Sequence, residues 1–321
     1  MMTALVPAML LIAGLLLIVF GADWLVDGAS VIARKAGVSE FVIGLVIVGF
    51  GTSCPEFVVS ATGAIAGNSD ISVGNVIGSN IFNPLLILGL TAVIAPLAIT
   101  SENRRRDIPL CIGITVLFCL LGLKQTLFHI GVDGLSRVEG ALLLVIFAIY
   151  IYSCFRNNKT DEPEQADAKK IGTWGGVLYV LAGLAGLIAG GKLFVGGATD
   201  IAKLIGVSDK FIAITILAGG TSLPELATCV VAAAKKKGQL ALGNILGSNV
   251  FNILLILGSA ALIHPISFEN INFVDMGVLL LSSILIFTSS FFGRRNTIDR
   301  FDGAMLLLCE AAYMTWLIMS I

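Results

Sequence analysis

Apolar segments follow one another along the whole 321-residue chain, and short polar stretches separate them. A helix needs about 20 mostly apolar residues to cross the hydrocarbon core of a bilayer. The pattern therefore predicts ten transmembrane helices. They lie near residues 4–26, 40–66, 72–95, 107–123, 138–154, 172–195, 210–234, 240–262, 273–291 and 301–320.

The composition agrees with an integral membrane protein. Hydrophobic residues make up 57% of the chain and charged residues 13%, with a mean hydropathy of +0.97, whereas soluble domains carry about 25% charged residues. No basic residue precedes the first apolar run, whose first charge is Asp23, so we interpret this run as a retained span rather than a cleaved signal. The predicted fold is all-α and multi-pass, in a lipid bilayer, with no nucleic-acid or obligate protein partner.

A block of 53 residues occurs twice in the chain. Residues 37–89 match residues 206–258 without a gap, at a constant offset of 169 and with 23 identities. The motif identities fall largely on polar and small residues, and polar groups inside a membrane are expensive, so we interpret the block as functional. Its motifs are GTSCPE at 51–56 and GNVIGSNIFN at 74–83, then GTSLPE at 220–225 and GNILGSNVFN at 243–252.

Charge distribution predicts the topology. With the N-terminus outside, 15 of the 20 Lys and Arg residues fall on inner segments, as the positive-inside rule requires. Five spans per half is an odd number, so the second half enters the membrane inverted relative to the first. We expect a first five-helix half at 1–155, a hydrophilic cytoplasmic linker at 156–171 and a second, inverted half at 172–321. Both chain termini are then outside.

The repeated motifs bring oxygen-bearing side chains together. Thr52, Ser53 and Glu56 share one helix face because they lie three and four residues apart, and the next helix repeats this spacing with Ser79 and Asn83. Hard cations such as calcium take several oxygen ligands, and two Glu side chains balance one divalent ion. The candidate ligands are Glu56, Thr52, Ser53, Ser79 and Asn83 from the first repeat and Glu225, Thr221, Ser222, Ser248 and Asn252 from the second.

Each motif also contains a helix-breaking residue. Pro55 and Pro224 immediately precede the two Glu residues, and a proline inside a helix removes a backbone hydrogen bond. With glycines nearby, we expect both helices to unwind, which a membrane tolerates where the backbone is buried or lines a cavity. Asn80 and Asn249 are predicted to form hydrogen bonds between helices. The predicted GxxxG packing pairs are Gly74 with Gly78 and Gly243 with Gly247.

The paired GTSxPE and GNxxGSNxFN motifs resemble the two alpha repeats of the cation/calcium antiporter superfamily, which includes the sodium/calcium exchangers and their prokaryotic relatives. The similarity covers essentially the whole chain. It implies a cluster of the ligands named above, with calcium at the centre and sodium at flanking positions. It also implies backbone carbonyl ligands at Gly49 and Ala218, seven residues before each Glu.

The chain departs from several members of that superfamily at two positions. Those exchangers carry Asp at one or both positions that match Asn83 and Asn252, whereas here both are Asn. The site then holds two carboxylates rather than three or four, and fewer fixed charges balance fewer sodium ions.

We interpret the chain as an antiporter of the cell membrane that exchanges sodium for calcium by alternating access. It is not interpreted as an enzyme, and no cofactor is expected beyond the transported calcium and sodium. A proton/calcium or other divalent cation antiporter is the alternative. A cation channel is less consistent, because channel filters usually come from symmetric rings. An intramembrane hydrolase would need a nucleophile with a base, and no His lies in a predicted span.

Overall fold

The computed structural model describes residues 2–157, 172–206, 218–269, 271–291 and 296–319. Most of the predicted linker 156–171 and the start of the predicted span 210–234 lie outside these residues. Helices α1 to α12 are Met2–Ala36, Glu40–Thr52, Cys54–Ile65, Ser69–Ile94, Ile108–Gly122, Lys124–Phe128, Arg137–Asn157, Thr173–Leu204, Leu223–Ala234, Gly238–Ile263, Phe273–Ser289 and Arg300–Met319. Strands β1 to β4 are Leu97–Ala98, Gly134–Leu135, Ile266–Ser267 and Thr297–Ile298.

The described residues confirm a multi-pass helical fold. Six helices are long and apolar enough to cross a membrane, and a seventh span results if the bent pair α2 and α3 counts as one. The helices at the predicted spans 107–123 and 273–291 are shorter, with 15 and 17 residues. Helix α9, in the second half of the predicted span 210–234, has 12 residues.

Helices α4 and α10, which carry the GNxxGSNxFN motifs, form the centre of the molecule. In their apolar windows 67% and 83% of the residues are buried, against 22 to 28% for the other four long helices. Asn68 starts α4 by accepting a hydrogen bond from the Ile71 amide, which satisfies one of the free amides of the first turn. Both helices widen into a π-turn at the motif's last Asn, at Asn83–Leu88 and Asn252–Leu257. Such π-turns are rare in proteins overall, and those that occur are frequently found at functional sites.

Helices α1 and α8 pack against each other as an antiparallel pair along their full length. A Cβ atom added at Gly14 would lie 2.4 Å from the Phe194 backbone nitrogen, and one at Gly190 would lie 2.8 Å from the Gly14 carbonyl oxygen. The backbones therefore touch directly, as small residues at a membrane helix contact allow. The glycines at this contact are Gly14, Gly21, Gly28, Gly176, Gly183, Gly190 and Gly197.

Both helices of this pair run past their predicted ends. Helix α1 continues from residue 26 to Ala36, and α8 continues from residue 195 to Leu204. The polar residues near the end of α1 have partners: the Lys235 ammonium lies 2.6 Å from an Asp23 carboxylate oxygen and 2.7 Å from one of Asp27. A helix predicted from hydropathy ends where such charges begin. Because these charges are paired, the helix continues past them.

The loops gather at two opposite ends of the helix bundle. At one end β1 pairs with β4, and Gln239 donates to the Ala98 carbonyl. At the other end β2 pairs with β3, and the Ser267 amide donates to the Ser69 hydroxyl. The turn between α3 and α4 thus lies at one end, and its repeat equivalent, between α9 and α10, lies at the other.

The predicted GxxxG contacts are found for the second repeat. A Cβ atom at Gly243 would lie 2.2 Å from the Phe41 carbonyl oxygen, and one at Gly247 would lie 2.4 Å from that of Leu45. These glycines let α10 touch the backbone of α2. Gly74 and Gly78 show no comparable contact with the described residues, which leave out 207–217.

Candidate ion-binding site

The two GTSxPE motifs interrupt their helices at the predicted place. Ser53 leaves the helical conformation, with φ −82° and ψ 6°, and Ser222 does the same with φ −88° and ψ 5°. Pro55 and Pro224 then fall in the first turn of α3 and α9, where a proline costs no hydrogen bond. The first break bends α2 against α3 by 48°. Each Glu therefore sits in the first turn of a new helix.

The two carboxylates lie in the interior and are held by the opposite repeat. Glu56 and Glu225 are each 1% exposed. The Ser53 hydroxyl donates to Glu225 Oε1 at 3.0 Å, and the Ser222 hydroxyl donates to Glu56 Oε1 at 3.2 Å. A hydrogen bond to a charged group is stronger than a neutral one. These crossed bonds join the two halves at the motif breaks.

Asparagine amides form a second crossed pair beside the carboxylates. Asn83 Nδ2 donates to Asn249 Oδ1 and Asn252 Nδ2 donates to Asn80 Oδ1, both at 2.9 Å. Asn80 Nδ2 in turn donates to the Asn249 carbonyl at 3.0 Å. The prediction that Asn80 and Asn249 hydrogen-bond between helices is confirmed. Because these bonds use the NH₂ groups of Asn83 and Asn252, their amide oxygens are left as acceptors.

Several buried oxygens of the site have no hydrogen-bond partner among the described residues. Native proteins rarely leave buried acceptors unpaired, and a bound ion or an ordered water commonly satisfies such groups. Within the described residues no group of three or more His, Cys, Asp or Glu side chains could hold a metal, so neutral oxygens must complete a cation's shell. The unpaired oxygens of the site are Glu56 Oε2, Glu225 Oε2, Asn83 Oδ1, Asn252 Oδ1 and Ser248 Oγ.

The remaining predicted ligands lie around these oxygens. Thr221 lies beside the Glu56 carboxylate, whereas Thr52 and Ser248 lie beside that of Glu225. The Ser79 hydroxyl is 3.4 Å from that of Ser222. Eight of the ten predicted side chains thus meet around the carboxylates, and Asn83 and Asn252 lie one helical turn after Ser79 and Ser248.

The two backbone ligands implied by the resemblance are the carbonyl oxygens of Gly49 and Ala218. The Gly49 carbonyl oxygen already accepts a helix bond from the Ser53 amide at 3.1 Å, and the Thr52 hydroxyl lies 3.4 Å from it. Ala218 begins the short helical turn Ala218–Gly220 before the second break.

One polar residue near the site, Asn244, is not among the predicted ligands and is interpreted from the sequence as a helix-end or packing residue. The Thr52 hydroxyl lies 3.1 Å from Asn244 Oδ1 and 3.0 Å from the Val48 carbonyl oxygen. Asn244 is fully buried and also donates to the Cys229 sulfur. Asn244 is the first Asn of its repeated motif, so duplication marks the residue, but its contact with the other repeat cannot be read from spacing.

A cavity of about 550 Å³ reaches the site from one side. It ends against Cys54, Pro55, Thr221 and Pro224, which lie next to the breaks and the carboxylates, and its far wall is helix α8. On the other side α10 touches the backbone of α2. The two breaks therefore have a cavity and helix α8 beside them, and the α2–α10 contact packs the helices that lead into the site.

The sequence and the fold are similar to those of known proteins. The profile of the family described as sodium/calcium exchanger protein matches residues 6–156 and 175–319. The sodium/calcium exchanger MaX1 of Methanosarcina acetivorans is 31% identical, over 95% of this chain and 97% of its own length. The inner membrane protein YrbG of Escherichia coli is 36% identical, over 97% and 95%. A solved structure of the sodium-calcium exchanger NCX_Mj, soaked with Na⁺ and Sr²⁺, aligns with a TM-score of 0.84 and 32% identity, over 97% of this chain and 98% of that one.

Proposed function

Because this chain belongs to the sodium/calcium exchanger family, whose members are transporters and not enzymes, we propose that it exchanges sodium for calcium at one site between its two repeats. The observation that carries this proposal is the set of unpaired buried carboxylate and amide oxygens, two from each repeat. Two carboxylates and two amide oxygens suit calcium, which takes carboxylate, carbonyl and hydroxyl ligands. Sodium competes for the same oxygens, and that competition enforces exchange.

The proposed roles follow the geometry. Glu56 and Glu225 supply the charge that balances calcium, and Asn83 and Asn252 supply neutral oxygens. The hydroxyls flank the carboxylates and serve sodium at positions on either side of the calcium site. Gly49 and Ala218 contribute backbone carbonyls. The set of hydroxyls is Thr52, Ser53 and Ser79 from the first repeat and Thr221, Ser222 and Ser248 from the second.

Alternating access is supported by the two unequal sides of the site. The cavity lies between helix α8 and the two breaks, while Gly243 and Gly247 hold α10 against α2. Helices interrupted at an ion site are characteristic of secondary transporters. A cavity beside the site supports a state open on that side, and exchange needs a second state open on the other.

We also propose ten spans, arranged as two inverted five-helix halves at 1–155 and 172–321 with the cytoplasmic linker 156–171 between them. The equivalent turns after α3 and after α9 lie at opposite ends of the bundle, which supports the inversion. The end that carries Arg34, Lys35 and 235–237 also carries 104–106, so the basic segments share one side. By the positive-inside rule this side is cytoplasmic, which puts both termini outside the cell membrane.

Calcium uptake into proteoliposomes tests the coupling ion. Vesicles loaded with sodium and diluted into sodium-free medium should take up calcium, because outward sodium flow drives it. Vesicles loaded with potassium, with no sodium on either side, should not. A pH gradient imposed at zero sodium separates the proton-coupled alternative, and the sodium ionophore monensin should abolish the sodium-driven signal.

Three results would contradict the proposal. Uptake that follows the pH gradient and ignores sodium would identify a proton antiporter. Calcium flux that needs no counter-ion would identify a channel. Sodium-driven uptake of other divalent ions but not of calcium would show that the protein is an antiporter with a different substrate.

A further inference from the structure

The cavity beside the site contains a positive charge, which repels cations that move through it toward the carboxylates. Lys192 and Asp200 are its charged lining residues in the described chain, and both stand on helix α8. They are eight residues apart, which places Asp200 about 12 Å further along the helix. A cation that reaches the carboxylates through this cavity is repelled by the Lys192 ammonium group, which carries a charge of the same sign.

The part of α8 that contains Lys192 packs beside both motif breaks. Leu184 packs against Gly51, immediately before the first break, and Val195 packs against Gly220, immediately before the second. Lys192 lies between these two contacts and is exposed to the cavity. Its charge is thus much nearer to the inner end of the cavity than that of Asp200.

The first repeat does not carry a positive charge at the position equivalent to Lys192. The residue 169 positions earlier is Asp23, on the equivalent helix α1. Asp23 and its neighbour Asp27 are neutralised in part by Lys235, at 2.6 and 2.7 Å. Among the described residues no ion pair of this kind neutralises Lys192. The two ends of the transporter therefore differ in charge at equivalent positions.

We propose that Lys192 sets the apparent ion affinity of the site from the cavity side, by holding a positive potential that depletes cations and depletes calcium more than sodium. The inference rests on the proposed exchange function. Coulomb energy scales with ion charge, so a potential that lowers the local sodium concentration about threefold lowers that of calcium about tenfold, which is three squared. The lysine thereby shifts competition on this side toward sodium.

The test compares Lys192→Gln with Lys192→Arg, which keeps the charge. Initial rates of exchange in oriented proteoliposomes give the half-saturating concentrations of calcium and of sodium on the cavity side. At low ionic strength the Gln variant should need about tenfold less calcium and about threefold less sodium than the unaltered protein. The Arg variant should match the unaltered protein. Raising the ionic strength with choline chloride to about 0.5 M should shrink both differences, because salt screens exposed charges.

Two outcomes would overturn the inference and leave the exchange function intact. One is an unchanged calcium requirement in an active Lys192→Gln protein at low ionic strength. The other is an equal fold-change in the half-saturating concentrations of both ions. This would indicate a change in the geometry of the site rather than in the electrostatic potential of the cavity. If the unaltered protein showed no sodium-driven calcium uptake, the proposed function itself would fail before any variant was compared.

Discussion

The carboxylates of Glu56 and Glu225 are the two formal charges of the site, and each is fixed by a serine from the other repeat. Replacing either one with Gln keeps the shape and removes half of the negative charge opposite a divalent ion. We expect each substitution to lower sodium-driven calcium uptake about 100-fold or more, because losing a charged partner in the interior costs about 3 kcal/mol or more. Uptake into sodium-loaded proteoliposomes measures it.

The exposed Glu102 supplies a matched control, since Glu102→Gln makes the same chemical change on the surface. This variant should transport at the normal rate. Size-exclusion chromatography should show all three proteins as the same folded species. Near-normal uptake by either site variant would remove the two-carboxylate site.

At Asn252 the crossed amide pair determines what a substitution does. Asn252 Nδ2 donates to Asn80 Oδ1, and an aspartate has no such donor, so Asn252→Asp places a carboxylate against an acceptor and adds a third charge to the site. We expect the sodium dependence of uptake, or the charge moved per calcium, to change. Current and calcium flux recorded together on the same proteoliposomes measure both.

Asn68→Asp is the isosteric control for this experiment. Within the described part of the chain the Asn68 side chain only accepts a hydrogen bond, from the Ile71 amide at 3.2 Å, and aspartate is an equally good N-cap. If Asn252→Asp behaved like Asn68→Asp in both measurements, position 252 would not face the ions.

Most of the candidate site can be predicted from the sequence, for a physical reason. A polar residue inside an apolar span is expensive, so its duplication at the same spacing marks it as functional. The crossing of the bonds cannot be predicted in this way, because spacing shows which side chains share a helix face but not which repeat they contact. Nor does the sequence show which amide oxygen is free, as this depends on the partner of the NH₂ group.

At the scale of elements, the α1–α8 pair depends on direct backbone contact. Gly190 touches the α1 backbone, whereas a Cβ atom at its neighbour Gly191 would meet no described atom within 4 Å. Gly190→Ala should therefore lower the free energy of unfolding by about 1–3 kcal/mol, as overpacking does. The thermal unfolding midpoint in detergent measures the change.

Gly191→Ala is the control, with the same substitution one residue away. It should leave the midpoint unchanged or raise it, because alanine favours a helix over glycine by up to about 1 kcal/mol. Equal destabilisation by both variants would show that helix α8 tolerates no added methyl group on either face, and that contact with α1 is not the cause.

Element boundaries show where sequence reasoning stops. The helix breaks at Ser53 and Ser222 follow from the local Pro and Gly residues and were predicted. The extension of α1 to Ala36 was not, because it depends on the distant Lys235 that pairs with Asp23 and Asp27. Contacts between residues more than 200 positions apart leave no trace in a local hydropathy window.

At the scale of the whole molecule, the inverted arrangement makes a prediction about sidedness. On a background free of cysteine, Arg105→Cys and Lys236→Cys should be labelled by a membrane-impermeant maleimide only from the cytoplasmic side. His129→Cys, at the other end of the bundle, should be labelled only from outside. Right-side-out and inverted vesicles provide the two measurements. Labelling of positions 105 and 236 from opposite sides would overturn the topology.

The crossed bonds between the repeats also have a consequence for biosynthesis. Glu56 enters the membrane 166 residues before Ser222, its hydrogen-bond partner, has been made. At about 5–20 residues per second of synthesis, this leaves the carboxylate without that partner for roughly 10 to 30 seconds. A nascent first half must therefore be sheltered by water or the insertion machinery until the second half arrives. The chain can complete its crossed polar cluster only after the motif of the second repeat has been made.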